Sequence, residues 1–363
     1  MNGVRRKVLL ITPGGRNAPG GIARMADYCV RYWPEKSPFE FRVIDSYGPG
    51  SKLLMPFFAL RAFLVTAMLL LARRGHLMHV NLSERLSLWR KGAFIMLGNW
   101  FGIPVIIHLH GAEFAEYVRA GGDRRKQFAR ALLGRAHKLI VLGSYWRTFL
   151  TGELGVDAEK IVVLCNAVPD MGTRKSRNEG EECRILFLGV LGERKGVPTL
   201  LQALAQPVMK SLRWRMIVAG NGVAENYKTM AKELGIAERV EFPGLLAEPQ
   251  ARAALEKTDI FVLPSRQEGL PMAILEAMSY GCAVVATPVG SIPDAVIHEK
   301  TGLLVPVDGT AQLALALSRL ISDASCCAQL GAQARRVFEE KFSIAAYNNA
   351  LERVYMEVFN AFR

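Results

Sequence analysis

Residues 259–287, DIFVLPSRQEGLPMAILEAMSYGCAVVAT, read as strand, loop, helix and strand in succession. Asp259 to Leu263 is a short apolar, β-branched run that stops at Pro264. Ser265 to Leu270 is polar with one glycine, so it is a loop. Pro271 suits a first helical position, where a missing N–H costs nothing. Gly281 ends the helix, and Ala283 to Thr287 is another buried strand. Helical and strand-like segments alternate in this way along the whole chain, the pattern of parallel α/β sheets.

Two carboxylates frame this unit. Glu268 stands in the loop just before the helix, and Glu276 about one and a half turns into it. Between them lie Gly269 and Leu270 of the loop, then Met272 and Ala273, whose backbone N–H groups belong to the first helical turn. Such groups have no intrahelical partner, and the helix dipole adds positive potential. The result is an anion site flanked by carboxylates, which suits a nucleotide sugar: N–H donors for the diphosphate, carboxylates for paired hydroxyls. Each glutamate alone also fits an acidic first turn that merely stabilises a helix. Glu268, seven residues and Glu276, within EGLPMAILEAMSYGCAVVAT, resemble the signature of the family-4 retaining glycosyltransferases. That resemblance implies the GT-B fold, two Rossmann-like α/β domains with parallel sheets facing across a cleft. It covers most of the C-terminal half strongly and the N-terminal half more weakly.

A chain of 363 residues, half of them hydrophobic, is long enough for two such domains. The domains are expected at residues 1–168 and 183–343, joined by the breaker-rich linker 169–182, PDMGTRKSRNEGEE. By the resemblance, the last helix, 344–363, crosses back to the first domain. The six cysteines show no metal spacing, and Met1 to Lys7 runs straight into a strand without a cleavable leader. Reduced thiols and a cytoplasmic location are expected. Basicity is concentrated in the first half: residues 1–170 hold 24 Lys and Arg against 12 Asp and Glu, while residues 171–363 hold 22 against 21. Such a surface attracts anionic lipid or a phosphorylated acceptor. Nucleic acid is not expected as a partner, because no recognised nucleic-acid motif is present.

In the first half, KVLLIT (7–12) is a strand, and the glycine-rich PGGRNAPGGIARM after it leads into a helix from about Ile22. The loop lacks the G-x-G-x-x-G spacing of dinucleotide sites, which disfavours an NAD-dependent oxidoreductase. By resemblance, Gly21, with Gly20 beside it, approaches the donor diphosphate. Residues 53–72, LLMPFFALRAFLVTAMLLLA, are the most hydrophobic stretch, with Arg61 near the middle and Lys52, Arg73 and Arg74 at the ends. Three readings stay open: a buried helix, an interfacial helix on anionic membrane, or a span. Arg90 and Lys91, in the next helix, could face an acceptor phosphate or form a solvated basic face. In IPVIIHLHGAEF (103–114) a buried strand delivers His108, His110 and Gly111 to its C-terminal end, where ligands bind in open parallel sheets. Two histidines on one face could suggest a metal, but no third ligand with fitting spacing is near. The resemblance favours His110 as the residue that reaches the donor sugar near the reacting carbon.

The second half opens with the strand Arg184 to Gly189 and the basic loop Gly189 to Gly196. Arg194 and Lys195 are placed to neutralise a diphosphate leaving group. Val190 stands where the family usually has Arg, and Arg194 is a candidate to supply that charge. RVEFPGLL (239–246) resembles the segment beside the nucleotide base, with Leu245 or Leu246 as contacts. TPVGSIPDAVIHEKTGLLVPVDG (287–309) reads as a loop and a short hairpin.

Together these residues imply metal-independent transfer of a sugar, with retention, from a UDP- or GDP-linked donor to a hydroxyl of a glycan or lipid-linked acceptor. Catalysis would rest on His110, Glu268 and Lys195. Substrate binding would rest on Gly20, Gly21, Arg194, Lys195, Gly269, Leu270, Met272, Ala273 and Glu276. No cofactor or metal is expected. A bacterial cell-surface polysaccharide or lipid-linked oligosaccharide is the expected pathway, with peripheral contact on the inner face of the membrane. The alternatives are a GT-B nucleotide-sugar epimerase or hydrolase, and a non-catalytic membrane-bound scaffold.

Overall fold

A computed structural model describes residues 5–15, 20–48, 54–174, 177–178 and 180–362. Residues 16–19 of the first glycine-rich loop, the flanking Lys52 and Leu53 of the hydrophobic stretch, and residues 175, 176 and 179 of the breaker-rich stretch lie outside them. The chain forms two compact units, Met1–Pro169 with Ile344–Arg363, and Asp170–Ser343.

The first unit holds six strands: β1 (Arg6–Thr12), β2 (Phe39–Asp45), β3 (Leu77–Leu82), β4 (Val105–Leu109), β5 (Lys138–Val141) and β6 (Ile161–Val163). Their order is β2-β1-β3-β4-β5-β6, and every pair is parallel. Leu10 of β1 pairs with Val43 on one side and His79 on the other, so the chain order reverses across β1. In such sheets ligands bind beyond the C-terminal strand ends at that reversal. Right-handed crossovers send the helix after β1, Gly21–Arg31, to one face. They send Met55–Leu71, Leu86–Trp100 and Gly122–Leu133 to the other. The last helix, Ile344–Ala361, packs beside Gly21–Arg31. β3 and β4 are buried at every position, as a sheet covered on both faces requires. β2, FEFRVID, is not among the strands expected from sequence; its mixed polar pattern suits the sheet edge it occupies.

The second unit repeats the plan with β7 (Cys183–Leu188), β8 (Trp214–Ala219), β9 (Val240–Gly244), β10 (Ile260–Leu263), β11 (Ala283–Ala286) and β12 (Gly302–Leu304). Its all-parallel order is β12-β11-β10-β7-β8-β9, and the reversal falls between β7 and β10. Residues 170–174 belong to this unit. Arg174, its side chain 5% exposed, pairs with the buried Asp259 at 2.9 Å, and Asp170 pairs with Arg335 at 2.6 Å.

Two local expectations need correction. The hairpin after Thr287 does not form. A short helix, Ile292–Ala295, is followed by a tight turn in which Glu299 N–H bonds Gly302 O at 2.9 Å, and Gly302–Leu304 then pairs parallel to β11. The apolar run Gly-Leu-Leu gains more by extending the buried β11 than by folding back on a polar partner. Pro271 is also not the first helical residue. It caps the helix in an extended conformation, φ −70° and ψ 127°, and the helix runs Met272–Tyr280.

Candidate active site

The loop after β7 and the loop after β10 meet at the reversal in the second sheet. Lys195 Nζ lies 2.5 Å from Glu268 Oε1, with the two side chains 14% and 6% exposed. Ser265 Oγ donates to the same carboxylate oxygen at 2.7 Å. Thr287 Oγ1 in turn donates to Ser265 O at 2.5 Å, so the end of β11 steadies the loop that holds the glutamate. Arg194 Nη1 donates to Gln267 O at 3.0 Å, and Arg266 N–H donates to Arg194 O at 2.8 Å, which ties the basic loop to the acidic one. A third loop closes on the same backbone: Ser291 N–H donates to Gly269 O at 2.8 Å. Gly290 makes that approach possible. Its φ is +57°, and a Cβ there would lie 2.0 Å from Glu268 O.

The helix Met272–Tyr280 starts directly after this loop. It has no side-chain cap and no acidic residue in its first turn, so the first-turn amides stand at the positive end of its dipole. Leu270 and Met272 are buried, at 3% and 6% exposure, and Ala273 is half-buried. Glu276 follows on the next turn and is 5% exposed. The carboxy-terminal unit therefore gathers Arg194, Lys195, Glu268, Gly269, Leu270, Met272, Ala273 and Glu276 along one short stretch of its sheet edge. Lysine, arginine, helix amides and carboxylates are the kinds of group able to bind a phosphate and hydroxyl groups together. Val190 is 55% exposed and carries no charge to this edge, and Leu245 is exposed beyond the edge strand β9.

The remaining sequence candidates lie in the first unit. Gly20, with φ +116°, precedes the helix that Gly21 begins, beyond the C-terminal end of β1. His110 follows β4 at the same end of the sheet. It belongs to a connected row of bases. Tyr355 Oη lies 2.5 Å from His79 Nδ1, and His79 Nε2 lies 3.3 Å from His108 Nδ1. The His108 and His110 rings pack at 3.9 Å between centroids, and His110 Nε2 lies 3.1 Å from Asn81 Oδ1. Lys91 Nζ donates to Asn81 O.

Burial dominates this row. It pushes His79 down to about 3 and His108 well below the usual histidine range, where its neighbours His110 and His79 add to the effect. His110 is also pushed down to about 3, by burial first and then by His79 and Lys91, although the residue keeps some accessible surface. Lys91 is fully buried and held well below the usual lysine value by burial, with Arg90 adding to it. Neither open reading, an acceptor phosphate or a solvated basic face, holds for Lys91. Arg90 is half-buried beside Tyr47 and Met55, and Lys91 points into the core.

Sequence reasoning missed Ser265, Ser291, Lys91, His79 and Tyr355 as members of these clusters. Ser265 could have been marked by its place just after a strand end. Tyr355 is 276 residues from His79, and no local signal connects the two. Among the described residues no group of three or more His, Cys, Asp or Glu side chains is arranged to hold a metal ion. None of the six cysteines is in a disulfide.

Comparison with known proteins agrees with this layout. The profile of the glycosyl transferase 4-like domain matches residues 5–167, and that of glycosyl transferases group 1 matches residues 182–323. The chain is 30% identical over 285 residues to the D-inositol 3-phosphate glycosyltransferase of Corynebacterium diphtheriae, covering 72% of this chain and 66% of the relative. It is 29% identical over 231 residues to the putative colanic acid biosynthesis glycosyltransferase WcaL of Escherichia coli, covering 61% of this chain and 56% of the relative. In structure it is similar to sucrose-phosphate synthase of Thermosynechococcus elongatus, with a TM-score of 0.80 at 20% identity over 98% of this chain and all of the other. It is also similar to HepE of Anabaena in complex with UDP-glucose, with a TM-score of 0.74 at 18% identity over 97% of this chain and 99% of the other. With both units matched by profiles of one family and the fold shared with its enzymes, the chain belongs to the family-4 glycosyltransferases of GT-B fold.

Proposed function

We propose that this glycosyltransferase moves a sugar, with retention of anomeric configuration, from a nucleoside-diphosphate sugar to a hydroxyl of a glycan or lipid-linked acceptor. The observation that carries the proposal is the Lys195–Glu268 pair at the reversal of the second sheet, beside the uncapped start of the helix Met272–Tyr280. A nucleoside-diphosphate sugar presents two kinds of group, and this edge holds a complement to each. Lys195, Arg194 and the amides of Met272 and Ala273 take the diphosphate, with the backbone at Gly20 and Gly21 assigned to it by family resemblance. Glu276 takes the ribose hydroxyls. Glu268, held by Lys195 and Ser265, takes sugar hydroxyls and stabilises positive charge at the anomeric carbon.

In the reaction the bond between the anomeric carbon and the diphosphate oxygen breaks, and the acceptor oxygen bonds to the same face of that carbon. The acceptor's proton passes to the departing phosphate oxygen. Lys195, Arg194 and the helix amides stabilise the charge that develops on the leaving group. His110 is assigned near the reacting carbon by resemblance, and a ring held neutral suits hydrogen bonding to a sugar hydroxyl. The donor is UDP- or GDP-linked. HepE, similar in fold, was solved with UDP-glucose. The similarity to WcaL supports a role in bacterial cell-surface polysaccharide synthesis, and the basic first half of the chain supports a place at the inner face of the cell membrane.

The test is thermal and chemical stabilisation by UDP, GDP and ADP, with NAD as control. A nucleotide at a hundred times its Kd stabilises by about 2.7 kcal/mol. The expected outcome is stabilisation by one nucleoside diphosphate, lost in Glu276→Ala. Glu268→Gln should keep that stabilisation while transfer falls by about 10²–10³-fold. Stabilisation by NAD alone, or normal binding and transfer in both variants, would overturn the assignment.

A further inference from the structure

The helices Met55–Leu71 and Leu86–Trp100 are apolar on both sides, and only one side is used by the core. Ala62, Thr66 and Leu70 of the first, and Phe94, Ile95 and Leu97 of the second, are buried. The outward face of the first helix carries Phe57, Leu60, Leu64, Met68 and Leu71, each 52–70% exposed and three or four residues apart, so they form one stripe. The second helix continues the surface with Leu86, Trp89, Met96 and Trp100, which are 44–83% exposed. The two helices pack together, with the Phe63 and Phe94 rings 5.7 Å apart, so the stripes belong to one face. Isolated exposed apolar residues are ordinary on a protein surface, whereas a contiguous patch of nine, two of them tryptophan, marks a surface that something covers.

The charge around the patch says what covers it. Neither helix carries a carboxylate. Arg61 projects from the first helix, Arg73 and Arg74 follow its end, and all three are exposed; Arg85, before the second helix, is exposed and pairs with Glu113 at 2.8 Å. Beneath the first helix, Arg42 and Arg61 line a cavity of about 220 Å³ with Asp45 and Phe58. Among the described residues no single helix is long and apolar enough to cross a membrane, and Met55–Leu71 has 17 residues. An apolar stripe with an arginine border and no length to span is the pattern of a helix lying in the plane of a bilayer interface. A second copy of this chain fits worse. A two-fold contact would set the same arginine border against itself with no carboxylate on either helix to answer it.

We propose that this two-helix face docks on the surface of an anionic lipid bilayer, with Phe57, Leu64, Met68 and Trp100 entering the acyl boundary and the arginines meeting lipid phosphates. The inference does not rest on the donor chemistry of the other unit, so nucleotide stabilisation stays intact if it fails. The test is flotation of the full chain with vesicles of phosphatidylcholine alone and of phosphatidylcholine mixed with phosphatidylglycerol. Binding is expected only with phosphatidylglycerol, weakening as salt rises. The double substitutions Leu64→Ser with Met68→Ser, and Arg61→Glu with Arg74→Glu, should each lower partitioning at least about tenfold. Both pairs are exposed, and an unchanged urea transition confirms that each variant is folded. No flotation with phosphatidylglycerol overturns the proposal. So does flotation that Leu64→Ser with Met68→Ser leaves unchanged, or a solution dimer that those substitutions turn into a monomer.

Discussion

Both units are built on six-stranded parallel sheets, with strand orders that differ, and they bury their ionisable groups in opposite ways. The carboxy-terminal unit buries charge in contact pairs: Lys195 with Glu268 at 2.5 Å and Arg174 with Asp259 at 2.9 Å. The amino-terminal unit buries bases among bases, with Lys91, His79, His108 and His110 in one row and a tyrosine, not a carboxylate, at its end. A buried charge pair is stable only while both members are present, and one half left alone bears the full cost of desolvation. A row of buried histidines avoids that cost by staying neutral, which is what the lowered values at His79 and His108 express, and burial pushes Lys91 in the same direction. The second unit thus buries charge against opposite charge, and the first buries bases whose protonation burial opposes.

The largest effect that would break this contrast lies at Asp259. It accepts from Arg174 Nη1 and from Arg184 N–H, both at 2.9 Å, while 1% exposed. Asp259→Ala should lower unfolding stability by about 3–5 kcal/mol in urea titration, because the buried Arg174 loses its contact with the Asp259 carboxylate. A loss under about 1 kcal/mol would show that the pair is not a buried ion pair in function.

Acidification should separate the units next. Above about pH 6.5 the two buried rings are neutral in both folded and unfolded chains, so no penalty arises. Below it the unfolded chain takes up protons that the folded rings refuse. Stability should then fall by about 1.4 kcal/mol per pH unit for each of His79 and His108. For His79 the loss ends near its folded value of about 3. Melting of wild type and His79→Gln between neutral pH and pH values below the histidine range measures the slope. The variant should lose one ring's share, and identical slopes would refute a neutral His79.

Lys91→Met should give the smallest change. The Lys91 side chain contributes one hydrogen bond, to Asn81 O, and a volume that methionine nearly matches. The substitution should cost no more than about 1.5 kcal/mol by urea unfolding. A cost of about 3 kcal/mol or more would mean that the amine is charged and paired, which would make the two units alike.

Much of this was legible in the sequence where the signal is local. The alternation of strand-like and helical runs predicted parallel α/β sheets. The stretch 259–287 located β10, the loop, the helix and β11 to within a residue or two. Glycine at 281 marked the helix end, where φ is +74°. Lys195 and Glu268 were both named from their loops, but not their contact. They are 73 residues apart, and their meeting depends on β7 and β10 being neighbours. The hairpin after Thr287 failed for a related reason. The local turn was there, yet the strand that follows it pairs with β11.

The amino-acid sequence by itself determined the fold class, the family and the chemical character of the loops, because periodicity, glycine placement and the spacing of Glu268 and Glu276 are properties of neighbouring residues. Tertiary structure alone decided which bases are buried together, that Lys91 points inward beside Arg90, that Tyr355 closes the histidine row, and which side of Met55–Leu71 is left for another surface. Those outcomes depend on strand order and crossover, which bring distant residues within hydrogen-bonding distance and set the burial that fixes their protonation.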